Sequence, residues 1–305
     1  MILPFLKLIR IKNLGIIAFC QILFKYFFFN KSGVDVQLTN FYFILLLLSL
    51  LFLAAAGYII NDVYDLESDI INKPKEVIIG VKISERLAIK IYIFFNLIGL
   101  GLAYYLSYAI NHLNYALLFL GLAFGLLKYS QSWKDVFILK NVLVAFLVSS
   151  SVLILGVYDL LPPINATNKL QQLVVISIVF DYFIFAFLLN LIREIIKDIE
   201  DEIGDKKRKT KSFISALGIK KTRLIIIFLN TLLISFISFY TFKYFTFKPL
   251  AFTYMISLVL IPSVVYFILF IKAKTLKNYS NLTSILKLIM IFGVGSIAII
   301  SILNN

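Results

Sequence analysis

The chain has 305 residues, 61% of them apolar, with a mean hydropathy of +0.96 and only 15% charged. Soluble domains hold about 45–50% apolar residues, so a water-facing globule is excluded, and disorder, which requires low hydrophobicity, goes with it. The formal net charge is +14; in a membrane chain such an excess reads as the positive-inside bias rather than as affinity for nucleic acid. One cysteine, Cys20, leaves no internal disulfide or multi-thiolate metal site. One histidine, His112, leaves no His-rich zinc or di-iron centre. Any metal must be a hard ion on carboxylates.

Crossing about 30 Å of hydrocarbon takes roughly 17–25 residues. Nine apolar runs of about that length or a little shorter follow one another at 14–30, 41–60, 90–110, 114–127, 141–158, 173–192, 224–241, 250–271 and 284–303. Lys25, inside the first, is expected to snorkel to an interface. The lysines and arginines test the layout: 24 of the 30 fall before the first run or in the segments 61–90, 128–140, 193–223 and 272–281. Four, Lys31, Lys169, Lys243 and Lys248, fall on the other side. Dropping one helix would invert every later side and destroy that split. The rich side is then cytoplasmic, which puts the N-terminus in and the C-terminus out of a cell-membrane protein. The expectation is an all-α polytopic fold forming a single domain over 1–305.

Acidic residues do not follow that rule. Six of the 16 lie in 61–90 (Asp62, Asp65, Glu67, Asp69, Glu76, Glu85) and six in 193–223 (Glu194, Asp198, Glu200, Asp201, Glu202, Asp205). Asp62, Asp65 and Asp69 are spaced i, i+3, i+7, and so are Asp198, Asp201 and Asp205. On a helix each trio forms one stripe. Both stripes directly follow an apolar run, the second and the sixth. Like charges at this spacing repel by a few tenths of a kcal/mol per pair, so a cation should accompany them. Mg²⁺ suits the role, because it takes oxygen ligands and shares them among a few carboxylates, waters and substrate phosphates. Lysines such as Lys73, Lys197 and Lys206 offer a plainer neutralisation of solvated loops. Two matching stripes favour the metal.

The segments Asn61-Asp62-x-x-Asp65-x-x-x-Asp69, Ile71-Asn72-Lys73-Pro74 and Arg193-Glu194-Ile195-Ile196-Lys197-Asp198-x-x-Asp201-x-x-Gly204-Asp205 resemble the two aspartate-rich motifs of the UbiA superfamily of intramembrane prenyltransferases. Leu8-Ile9-Arg10-x-x-Asn13, Tyr129-Ser130, Lys134, Asn141, Lys211-Ser212 and Leu217-Gly218 extend the likeness over the chain. The resemblance implies nine helices around a central chamber, with two Asp-rich cytoplasmic helical loops. A polyprenyl diphosphate would sit with its head group between the stripes, and a lipophilic acceptor would receive the prenyl group. Mg²⁺ would be held by Asn61, Asp62, Asp65, Asp69, Asp198, Asp201 and Asp205, with the five aspartates Asp65, Asp69, Asp198, Asp201 and Asp205 as the catalytic set. Lys73, Tyr129, Lys134, Arg193, Lys197 and Lys211 would bind the diphosphate. Where the family often carries a basic residue two positions after Lys-Pro, this chain has Glu76. An allylic cation would need a dry aromatic chamber, and 30 Phe and 17 Tyr supply rings.

The Arg-Glu-Ile-Ile-Lys-Asp form of the second motif looks most like the branch containing geranylgeranylglycerol-phosphate geranylgeranyltransferases, which alkylate a hydroxyl. Quinone-pathway relatives, which alkylate a hydroxybenzoate or dihydroxynaphthoate ring, are the alternative. A transporter would need its charges near the bilayer midplane, and only Asp181 lies deep. That residue either faces the chamber or is bonded between helices.

Overall fold

A computed structural model describes residues 2–72, 74, 77–204 and 212–302, without the side chains of 68, 71, 72, 201–204 and 300–302. Backbone N–H and C=O groups in hydrocarbon have no water to bond, so a spanning segment must satisfy them internally. The chain meets this demand with helices throughout: α1 (Ile2–Leu8), α2 (Ile11–Ile22), α3 (Asn40–Tyr64), α4 (Leu66–Asn72), α5 (Glu85–Ala109), α6 (Ala116–Gln131), α7 (Leu139–Leu160), α8 (Lys169–Gly204), α9 (Phe213–Tyr244), α10 (Pro249–Tyr254), α11 (Ile261–Lys272) and α12 (Leu276–Ile302). No strand occurs among the described residues. Two wide π turns, Leu23–Phe28 and Met255–Leu260, continue α2 and join α10 to α11.

Nine of the helical stretches among the described residues are long and apolar enough to cross a membrane, from Ile11–Lys31 to Leu276–Ile299. Each coincides with an expected run, and most extend beyond it. The short fourth run becomes Leu113–Gln131, lengthened by a 3-10 turn at Leu113–Tyr115. The seventh begins at Phe213, where Ser212 and Ser215 form a reciprocal capping box. It turns at Gly218, whose φ of +76° is a left-handed conformation that glycine adopts without strain.

The chain resolves into two compact units. One comprises Met1–Ile22, Asp35–Lys134 and Leu153–Leu173, the other Leu23–Val34, Asp135–Val152 and Val174–Asn305. In the first, α3 packs along α5 and α6. Small residues allow the close approach: a Cβ on Gly99 would meet Leu53 at 2.9 Å and the Ser49 carbonyl at 3.2 Å, and Ser49 Oγ donates to the Gly99 carbonyl at 2.7 Å. A buried carboxylate, Asp159, ties this unit's polar end by accepting the Leu38 N–H at 2.7 Å.

In the second unit, α12 packs against α11 and both wide turns. Lys25 belongs to the first of these turns and is only 1% exposed. It does not snorkel, because the turn presses it into protein instead of lipid. Arg223 on α9 caps α11: its guanidinium donates to the Phe270, Ile271 and Ala273 carbonyls at 3.2, 2.8 and 2.8 Å and to Tyr279 Oη at 2.6 Å. A cation there meets the unpaired carbonyls and the negative end of the helix dipole.

Two substitutions check this packing. Gly99→Ala should overpack the α3–α5 contact and cost about 1–3 kcal/mol, read as a lowered unfolding temperature in detergent. Arg223→Met keeps the apolar stem but uncaps α11. The loss should be about 1.5–3 kcal/mol, with earlier thermal aggregation of the purified protein as the readout.

Candidate active site

The first acidic motif straddles the end of α3. Asp65 caps that helix, and α4 begins at Leu66, so the stripe does not lie on one uninterrupted helix. The bonds Asp65 N–H to Asn61 O (2.9 Å) and Asp69 N–H to Asp65 O (2.8 Å) carry the helical pattern over the joint. Asp65 and Asp69 remain close enough to act electrostatically on Asp62. This clustering calls for cations, and two are present.

Lys134, from the 3-10 turn Trp133–Asp135, places Nζ 2.7 Å from Asp65 Oδ1. Asn61 Nδ2 donates to Asp65 Oδ2 at 2.8 Å. Arg10 Nη2 donates to Asp62 Oδ1 at 3.1 Å, and its guanidinium lies 4.8 Å from the centre of the Tyr58 ring. Arg10 has a left-handed backbone (φ +51°) at the joint of α1 and α2, which aims its side chain back at the motif. Asn13 Nδ2 reaches Tyr58 Oη at 3.4 Å. Tyr129 is half-buried in the last turn of α6.

The second motif needs no joint. Its residues through Gly204 continue α8, a single helix of 36 residues. Arg193 Nη1 and Lys197 Nζ both reach Glu194 Oε1, at 3.1 and 2.8 Å. Asp198 is buried; Lys140 Nζ lies 2.5 Å from its Oδ1, and Asn141 Nδ2 donates to its Oδ2 at 3.0 Å. Lys140 is a partner that spacing alone did not single out. The available signal was a Lys-Asn pair opening an apolar run in the segment that also carries Lys134.

Lys73, Asp205 and Lys211 lie outside the described residues, as does the side chain of Asp201. Among the described residues no three His, Cys, Asp or Glu side chains converge into a preformed metal cage. The donor chemistry nonetheless fits a hard cation. Asn61 Oδ1 is buried with no hydrogen-bond partner, so an oxygen ligand sits unused beside Asp65. A second orphan, Arg193 Nε, is a buried donor that suits a phosphate oxygen.

Asp181 lies apart from both motifs. It is 17 residues before Asp198 on α8, about 25 Å along the axis at 1.5 Å per residue. With Tyr182, Phe185, Tyr240, Met255 and Ser296 it lines a cleft inside the second unit. Its carboxylate hydrogen-bonds to none of the described residues, whereas Tyr182 Oη and Ser296 Oγ pair at 2.6 Å. Of the two expectations for Asp181, bonding between helices is therefore not what the structure shows.

Residues 25–289 match the model of the UbiA prenyltransferase family. The digeranylgeranylglyceryl phosphate synthase of Saccharolobus solfataricus is 32% identical over 79% of this chain and 78% of its own length. That of Methanococcoides burtonii is 30% identical over 71% and 72%. Among solved structures, one described for digeranylgeranylglyceryl phosphate synthase in membranes matches 99% of this chain and 98% of its own, with 25% identity and a TM-score of 0.65. A UbiA homolog from Archaeoglobus fulgidus bound to GPP and Mg²⁺ shares the fold, with a TM-score of 0.59, 18% identity, and 97% and 99% of the two chains covered. The nine apolar helices, the paired acidic motifs and these likenesses together place the chain in the UbiA prenyltransferase family, as an integral membrane prenyltransferase.

Proposed function

We propose that this protein transfers a polyprenyl group, geranylgeranyl by preference, from its diphosphate to a glycerol-phosphate prenyl ether. The single observation that carries the reading is the pair of carboxylates, Asp65 and Asp198, each gripped by one lysine and one asparagine, in a chain whose curated relatives are digeranylgeranylglyceryl phosphate synthases. Asn61, Asp65 and Asp69 of the first motif, and Asp201 and Asp205 of the second, would hold Mg²⁺; of the ligands expected from the sequence, Asp62, ion-paired with Arg10, and Asp198, ion-paired with Lys140, are left out of this set. Bound there, Mg²⁺ supplies neutralising charge to the departing diphosphate.

Lys134, Arg193 and Lys197 then bind phosphate oxygens through charge-assisted hydrogen bonds, joined by Lys73, Lys211 and Tyr129. Lys134 is already held beside the acids by Asp65, so it needs no long excursion to reach a phosphate. The allylic carbon–oxygen bond breaks with its electron pair leaving on the diphosphate. An acceptor hydroxyl oxygen attacks the allylic carbon and loses its proton, which the released diphosphate can take up, giving an ether. Stabilising the departing charge is the protein's largest electrostatic task, and excluding water protects the cation from hydrolysis. All of this would proceed in one catalytic domain spanning 1–305, since the first, fifth and sixth spans each run from one compact unit into the other. The positive-inside split supports a cytoplasmic face for the motifs and an outward C-terminus.

Purified protein in detergent with labelled geranylgeranyl diphosphate and Mg²⁺ should form ether product with geranylgeranylglyceryl phosphate. It should form little with 4-hydroxybenzoate or 1,4-dihydroxy-2-naphthoate. Ring-alkylated product in preference to ether would reassign the acceptor. Chelation by EDTA should abolish turnover, and joint Asp65→Ala and Asp201→Ala should lower it by about 100-fold or more. Full activity under either condition would refute the metal role.

A further inference from the structure

Asp65 and Asp198 share a pattern of partners but not a degree of access. The Asp65 side chain is 24% exposed, that of Asp198 5%. Both oxygens of Asp198 are committed, Oδ1 to Lys140 Nζ and Oδ2 to Asn141 Nδ2. Lys140 and Asn141 open α7, so three side chains pin the acidic end of α8 to the start of α7 within one compact unit. Placing a divalent cation on Asp198 would require expelling the Lys140 ammonium from a buried pair. Removing one partner of such a pair strands the other's charge and is costly.

Asp201 follows Asp198 by three residues, less than one turn of the same helix. Fixing Asp198 therefore fixes the rotation of α8 about its axis and the direction in which the next acidic turn leaves it. Resting on the metal reading of the two motifs, we infer that Asp198 is a positioning residue and not a metal ligand: with Lys140 and Asn141 it locks the orientation of α8 so that the following carboxylates meet the metal-bound diphosphate. The second motif then divides its labour. Its first aspartate sets geometry, and the later ones bind.

The test is a double-mutant cycle on full-length protein in detergent, with Asp198→Asn, Lys140→Gln, their combination, and Asp65→Asn for comparison. Bound Mn²⁺ is counted by electron paramagnetic resonance, unfolding temperature is followed without metal, and turnover is measured with Mg²⁺. Asp198→Asn and Lys140→Gln should each lower the unfolding temperature and kcat while the protein still binds as many Mn²⁺ ions as wild type. The combined variant, with a neutral Asn–Gln pair, should recover part of both losses, because neighbouring sites in one network are not additive. Asp65→Asn should lose bound Mn²⁺.

Loss of Mn²⁺ in Asp198→Asn to the extent seen in Asp65→Asn, or losses in the combined variant as large as the sum of the singles, would overturn the assignment. Should Asp198→Asn fail to fold, the combined variant decides through the same ion count. If wild type binds no Mn²⁺ and ignores chelation, the metal reading fails, whereas the unfolding temperatures still judge the clamp by itself.

Discussion

Carboxylates at the rim of a hydrocarbon slab must have positive charge beside them. Isolated charges are expensive to take out of water, and clustered like charges add mutual repulsion. In this protein four acids of the two motifs meet that demand with a side chain: Asp62 with Arg10, Asp65 with Lys134, Glu194 with Arg193 and Lys197, and Asp198 with Lys140. Part of the excess of basic residues thus does local work. It allows a strongly acidic patch to exist on apolar helices before any substrate arrives.

The arrangement also has a catalytic logic. On the proposed function, lysines that neutralise acids in the resting protein would exchange one anionic partner for another when a head group binds, which takes little net charge movement. Preorganised charge of this kind is what electrostatic catalysis requires, since the groups need no reorganisation as the bond breaks. Buried orphans mark where the resting network is incomplete. In one compact unit Asn61 Oδ1 lacks a donor, and in the other Arg193 Nε lacks an acceptor.

Much of this was legible from the residues because the bilayer leaves few options. Runs of Leu, Ile and Phe between basic loops can only be helices, and all nine expected runs match spans. Acid spacing likewise pointed to the two motifs. What spacing could not give was pairing across distance in the chain. Asp198 meets Lys140 and Asn141 over more than fifty residues, and Arg10 reaches Asp62 over 52. Nor did hydropathy reveal the joint at Asp65 or the burial of Lys25, since both are settled by neighbouring elements and not by local composition.

The two wide turns against α12 carry a consequence of their own. A π turn holds one residue more than an α turn of the same rise, so Leu23–Phe28 and Met255–Leu260 each store a surplus residue. Loss of a single residue there can be absorbed by tightening the turn, with the flanking helix keeping its phase. Loss of one residue from the uninterrupted α8 has no such outlet and would rotate everything beyond it by about 100°. Tolerance of length change is therefore concentrated in the two spans that contain these turns, and the helix that carries the second acidic motif has no such slack.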